Sequence, residues 1–158
     1  MRSLRPQADR NQTRDDAYVM SLASAAVAAR DRRAYRRHDL EQQGIAVERW
    51  DGRGEPAAFG QIVDISAGGV RIRTKQRGLR VDSQLRVRIE LPRYAGISPF
   101  VDTVGQQPQP KQEWVGWMAI CRVIESADGV EIAAQLLDME ELDRGMLGLY
   151  LSTQPLAA

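Results

Sequence analysis

From Gly44 to Leu137 hydrophobic and polar side chains alternate with a period of two, in short runs separated by turn residues. Successive side chains of a strand point to opposite faces, so each run predicts a half-buried β-strand. Ile45-Ala46-Val47 opens the first, and Asp51-Gly52-Arg53-Gly54-Glu55-Pro56 closes it with residues that favour turns. Residues 59–65 read as the second. The clearest alternation follows in Val70-Arg71-Ile72-Arg73-Thr74 and Leu85-Arg86-Val87-Arg88-Ile89-Glu90-Leu91. There Val70, Ile72, Leu85, Val87, Ile89 and Leu91 are expected on the core side and the arginines on the other, as in antiparallel sheets. Residues 113–125 and 130–137 supply two more strands around Ser126-Ala127-Asp128-Gly129, where Asp-Gly signals a hairpin.

Three stretches break this rhythm. Residues 92–112 carry prolines and no period, which predicts a long loop of the kind that is more often functional than accidental. After Leu137 the spacing turns helical: Asp138 is the expected N-cap, with Glu141 completing a capping-box-like pair. Met139, Leu142, Met146 and Leu149 are the expected core stripe of that helix. At the other end, residues 1–14 are polar and arginine-rich, which predicts a disordered start. Tyr18, Val19, Leu22, Ala26 and Val27 then follow at helical spacing among alanines. The expected protein is mainly β: five or six short antiparallel strands closed by one C-terminal helix, a small barrel rather than a parallel sheet. Its expected organisation is a flexible or partly helical N-terminal arm over 1–31, one domain over 32–152, and a disordered tail over 153–158.

Composition narrows this picture further. A chain of 158 residues holds one domain and an arm, and 43% hydrophobic residues suffice for a core without disulfides. Cys121 is the only cysteine and lies in an apolar run, so it is expected to be buried and inert. The net charge of +1 hides an asymmetry, because residues 1–39 hold nine arginines against five aspartates. Five of those arginines lie between Arg30 and Arg37, a local anion-binding signal on a nearly neutral body. That is unlike the broad basic face of a nucleic-acid binder, so no nucleic-acid partner is expected.

No run of about 18 apolar residues occurs, so no membrane span is expected. The alanine-rich N-terminal segment is interrupted by Ser21 and Ser24 and preceded by Asp9, Asp15 and Asp16, which argues against a secretion signal and for a cytoplasmic protein. His38 is the only histidine, and it is expected at the surface. With no acid–base pair around a histidine and no ligand cluster, neither an enzyme nor a metal or other cofactor is expected. Trp114 and Trp117, three apart in a predicted strand, are expected on opposite faces, one in the core and one exposed.

Two motifs carry candidate chemistry. Arg32-Arg33-Ala34-Tyr35-Arg36-Arg37-His38-Asp39-Leu40 enters the barrel with planar guanidinium groups, whose forked donors match phosphate oxygens and the O6 and N7 acceptors of guanine. Read alone, it is first of all a solvated charge run. Asp64-Ile65-Ser66-Ala67-Gly68-Gly69 reads as a tight strand connection in which Asp64 and Ser66 bond the turn backbone and the glycines permit positive φ and close approach. In a functional reading the Asp64 carboxylate accepts from guanine N–H groups, Ser66 offers a hydroxyl, and Gly69 leaves room for a ligand.

In this order the two motifs resemble the signature of the PilZ family, R-x-x-x-R followed by D/N-x-S-x-x-G. Arg33 to Arg37 fits the first part and Asp64 to Gly69 the second, over a resemblance running from about Arg32 to Leu151. Arg32 to Arg36 is a rival register; Arg33/Arg37 is preferred because Tyr35 then takes the middle position, where relatives often carry an aromatic residue. The resemblance implies a six-stranded antiparallel Greek-key barrel with a C-terminal helix that binds cyclic di-GMP without catalysis. Arg33 and Arg37 would grip guanine edges and phosphates, and Asp64, Ser66 and Gly69 would hold a guanine against the barrel. Arg32, just before the motif, implies an intercalated pair of ligands. The implied output is regulation of a separate effector protein in motility, exopolysaccharide or pilus machinery. A nucleotide-independent adaptor with the same barrel is the alternative, and a nucleic-acid-binding barrel ranks below it.

Overall fold

The computed structural model describes residues 36–50, 52–105 and 107–154. The expected N-terminal arm over 1–31 lies outside them, and so do Arg32 and Arg33 at the expected start of the domain. The described strands are β1 (His38–Asp39), β2 (Ala46–Arg49), β3 (Ala57–Ile65), β4 (Gly69–Thr74), β5 (Gln84–Glu90), β6 (Phe100–Asp102), β7 (Gln109–Lys111), β8 (Glu113–Ser126) and β9 (Gly129–Leu136), followed by helix α1 (Glu141–Leu151).

Six of these strands close an antiparallel barrel. Around it they run β2-β3-β4-β9-β8-β5, with β5 returning to pair with β2. Two meanders are joined by the 75–83 connection, which places β5 beside β2 instead of beside β4. That return of the fourth strand to the first is the Greek-key arrangement. The first barrel strand is split. Leu40 N–H donates to the Val63 carbonyl and Ile62 N–H donates to the Ile45 carbonyl, so β1 and β2 lie along one edge of β3. Residues 41–44 loop out between them as a 3-10 turn that ends on Gly44 at φ 63°.

The period-two reading of the sequence holds for the core. Val70, Ile72, Leu85, Val87 and Ile89 are all buried, together with Val130, Ile132, Ala134 and Leu136 on β9. Trp114 is buried and Trp117 exposed, as their spacing requires. The Trp114 ring lies over Gly116, where an added Cβ would come within 2.2 Å of ring carbon. The β8–β9 hairpin closes on Ala127 and Asp128, with Ser126 opposite Gly129.

Several expectations are corrected. Cys121 is half-exposed, because the β8–β9 register slips between Ile120 and Arg122 and interrupts the alternation there. His38 is buried, its Nδ1 3.2 Å from the Gln154 carbonyl oxygen. Gln154, in the expected tail, is itself buried, and its side-chain oxygen accepts from Gln43 Nε2. The helix buries Leu147, Tyr150, Leu151 and Asp143, while Leu142 and Leu149 are 46% and 53% exposed. Its N-cap is Glu140 without a side-chain cap bond; Asp138 sits at φ 47° and accepts instead from Trp117 N–H.

The segment expected as a long loop contains the β6–β7 hairpin, with Phe100 and Val101 buried. The Asp143 carboxylate accepts from Val101 N–H at 2.8 Å, tying this hairpin to α1. Among the described residues no helix is long and apolar enough to cross a membrane.

Candidate functional site

The connection between β3 and β4 is built by its own side chains. Ser66 N–H donates to the Gly69 carbonyl at 2.8 Å, and Ser66 Oγ accepts from Gly69 N–H at 3.1 Å and from Gly68 N–H at 3.3 Å. The turn is braced from outside as well. Leu136 N–H donates to the Gly68 carbonyl, and Arg144 of α1 donates to the Ala67 carbonyl at 2.6 Å. Gly69 is required by close approach, since a Cβ there would lie 2.9 Å from the Ala134 carbonyl oxygen on β9. Its φ is not in the left-handed region, so the expected need for positive φ does not apply to it. The glycine is thus explained by strand packing alone.

A tight turn fixes register. Ile65 faces Val70, and Asp64 faces Arg71. The inner pair enters the core and the outer pair forms a salt bridge, with Arg71 Nη2 at 2.7 Å from Asp64 Oδ2. Arg71 Nη1 reaches Glu131 Oε1 on β9 at 3.3 Å. From the segment before β1, Arg37 Nη1 approaches the other oxygen of Asp64 at 3.6 Å. Arg36 is exposed. Further along the same face, Arg73 pairs with Glu41 of the looped-out turn. The structure therefore brings together Arg37, Asp64, Ser66 and Gly69 of the expected site. Arg32 and Arg33 lie outside the described residues.

Asp64 stands on the outer side of the barrel yet its side chain is only 4% exposed, because the two guanidinium groups cover it. Burial pushes its carboxyl above the usual carboxylate range, and the charges of Arg71 and Arg37 pull the other way. Glu131 adds a smaller upward push. The result is a buried acceptor whose two oxygens already meet cations, beside further arginine donors on an open face. Such a set suits a planar ligand with N–H donors on one edge and anionic groups on another. Among the described residues no group of three or more His, Cys, Asp or Glu could hold a metal ion.

Arg71, Glu131 and Arg144 were not among the residues singled out from the sequence. The first was within reach: counting outward from the 66–69 turn puts Arg71 opposite Asp64. Glu131 and Arg144 depend on which strand and helix pack beside the turn, and no local pattern gives that.

Comparison with known proteins agrees with this architecture. The PilZ domain family model matches residues 31–152. Among solved structures, the inhibitor of motility of Bacillus subtilis (MotI/DgrA) superposes with a TM-score of 0.55 at 17% identity, covering 77% of this chain and 49% of that one. The chain thus spans about half the length of that neighbour. The PilZ domain of YcgR from Escherichia coli, solved with c-di-GMP, gives a TM-score of 0.46 at 12% identity, with 77% and 90% covered. No curated protein matches the sequence. With a family model covering most of the chain and a closed six-stranded barrel capped by a C-terminal helix, this protein belongs to the PilZ domain family.

Proposed function

We propose that this PilZ domain is a receptor for cyclic di-GMP that regulates a separate effector protein. In this reading Arg33 and Arg37 grip guanine edges and phosphates. Asp64 accepts from guanine N–H groups, and Ser66 and Gly69 shape the surface on which the base lies. The observation that supports it is the meeting of the two sequence motifs, separated along the chain, at one point: Arg37 lies 3.6 Å from the Asp64 carboxylate. Arg32 extends the reading to an intercalated ligand pair. Ordering of a basic segment around a polyanion supplies the conformational change that an effector would sense.

Calorimetry with cyclic di-GMP tests this directly. The wild type is expected to bind, and Arg33→Ala, Arg37→Ala and Asp64→Ala are each expected to lose about 1–3 kcal/mol, the worth of a good bidentate base contact. Arg36→Ala is expected to bind like wild type; a loss there instead of at Arg37 would move the register by one residue. Arg32→Ala is expected to reduce the stoichiometry from two ligands to one. A wild type that binds no cyclic di-GMP would leave the adaptor reading. Equal binding of single-stranded DNA with steep salt dependence would favour a nucleic-acid binder.

A further inference from the structure

The two cations on Asp64 are held very differently. Arg71 belongs to β4, whose backbone is paired on both sides, with Asp64 on β3 and with Ala133 on β9. Its guanidinium is fixed at both ends, 2.7 Å from Asp64 and 3.3 Å from Glu131. Arg37 precedes a two-residue strand, its side chain is 51% exposed, and its approach to Asp64 is the longer one at 3.6 Å. The carboxylate between them is almost fully covered, so a ligand donor reaches its outer oxygen only when Arg37 moves aside.

We propose that Arg71 is a positioning residue, which stays on Asp64 as a fixed counter-ion while Arg37 leaves it to engage the ligand. This rests on the cyclic di-GMP reading above. The physical need is clear from what surrounds Asp64. Facing it are Arg37 from the segment before β1, Arg71 from β4 and Glu131 from β9. Asp39 of β1 lies opposite in register, with its Oδ1 accepting from Glu41 N–H. Of these, Glu131 disfavours a charged Asp64, and once Arg37 departs Arg71 is the one remaining cation among them. Burial already biases this carboxyl toward its protonated form. A protonated Asp64 would present a donor where a guanine edge also presents donors. Arg71 therefore keeps the acceptor charged, and by holding Oδ2 it leaves Oδ1 aimed outward.

The decisive measurement pairs two readouts on wild type, Arg71→Met and Arg71→Lys. Carbon-detected NMR follows the titration midpoint of the Asp64 carboxyl in the free protein, and calorimetry follows cyclic di-GMP affinity against pH. Arg71→Met is expected to raise the midpoint. Its affinity is expected to fall about tenfold at neutral pH, with the deficit growing as pH falls through the raised midpoint. Arg71→Lys, which keeps a cation but not the fork, is expected to recover most of both. An unchanged midpoint in Arg71→Met, or an affinity loss independent of pH and not recovered by lysine, would overturn the proposal. If the wild type binds no cyclic di-GMP, the receptor reading and the ligand half of this proposal fall together. The midpoint shift, read without ligand, still decides the counter-ion half.

Discussion

Two arginine–carboxylate clusters decorate the same barrel, and they are built for different ends. On the β2–β5–β8 face Arg88 bonds Glu48, Glu90 and Glu113 at 2.7, 3.1 and 2.5 Å. All three acids are partly or largely exposed, and the hydrogen bonds to Glu113 and Glu48, helped by their charge, hold Arg88 more firmly protonated than usual. On the β3–β4–β9 face the arrangement is inverted: one acid, Asp64, is covered by two arginines, and it is the acid that burial disfavours. Open ion pairs in water are weak and easily screened. A buried carboxylate is costly unless its cations stay, which makes it sensitive to anything that displaces one of them. The first cluster is a surface brace, and the second is where a ligand can exert leverage.

The comparison breaks most readily through binding. Arg37→Ala and Asp64→Ala should weaken cyclic di-GMP by about 1–3 kcal/mol each in calorimetry. Arg88→Ala should leave that affinity at the wild-type value, and an equal loss in Arg88→Ala would erase the distinction between the clusters.

Stability offers a second contrast, measured by denaturant unfolding. Gly69→Ala drives a Cβ to 2.9 Å from the Ala134 carbonyl and should destabilise the domain by about 1–3 kcal/mol. Gly145→Ala, in the middle of α1 with no atom within 4 Å of the new Cβ, should instead stabilise it by about 0.5–1 kcal/mol. A tolerated Gly69→Ala would mean that the turn is less firmly seated on β9 than its hydrogen bonds indicate.

The pH dependence of stability sharpens the comparison further. Because the folded pKa of Asp64 lies above its unfolded value, the folded state binds the extra proton in the window between them. Its contribution therefore costs stability as pH rises through that window, and the full cost is present above the folded pKa. Asp64→Asn should thus unfold at or above the wild-type temperature at neutral pH, with the advantage lost in acid, while binding cyclic di-GMP more weakly. A variant that melts well below wild type at neutral pH would show that the arginines more than offset the burial. The smallest effect belongs to the open cluster. Arg88→Gln should cost about 1 kcal/mol or less, and the cost should shrink in high salt.

Much of the barrel was legible because its signal is local. Alternation at Leu85, Val87 and Ile89 names the core side of β5 without knowing its neighbours, and Ala127-Asp128 before Gly129 names a hairpin. The helix shows where such reasoning stops. Leu142, Met146 and Leu149 form one apolar stripe, and Leu147, Tyr150 and Leu151 form another, so period alone cannot choose the face that meets the barrel. The choice falls to a residue that looks like a surface acid, Asp143, which accepts from Val101 N–H and fixes the helix's rotation. His38 was misplaced for a related reason, since its cover is the chain's far end, at Gln154.

By itself the sequence determined the strand segments of β2, β3, β4, β5, β8 and β9, the core side of β4 and β5, and the turn of Asp64, Ser66 and Gly69, because all of these follow from neighbours a few residues apart. Only the tertiary structure decided that Arg37 closes on Asp64, that Arg71 is pinned between Asp64 and Glu131, and that Arg144 braces the turn from α1. Apart from the Arg71–Asp64 pair across the turn, those contacts join residues tens of positions apart. They depend on barrel closure, on a strand split around residues 41–44, and on the seat of one helix, and charge has no periodicity from which to read them.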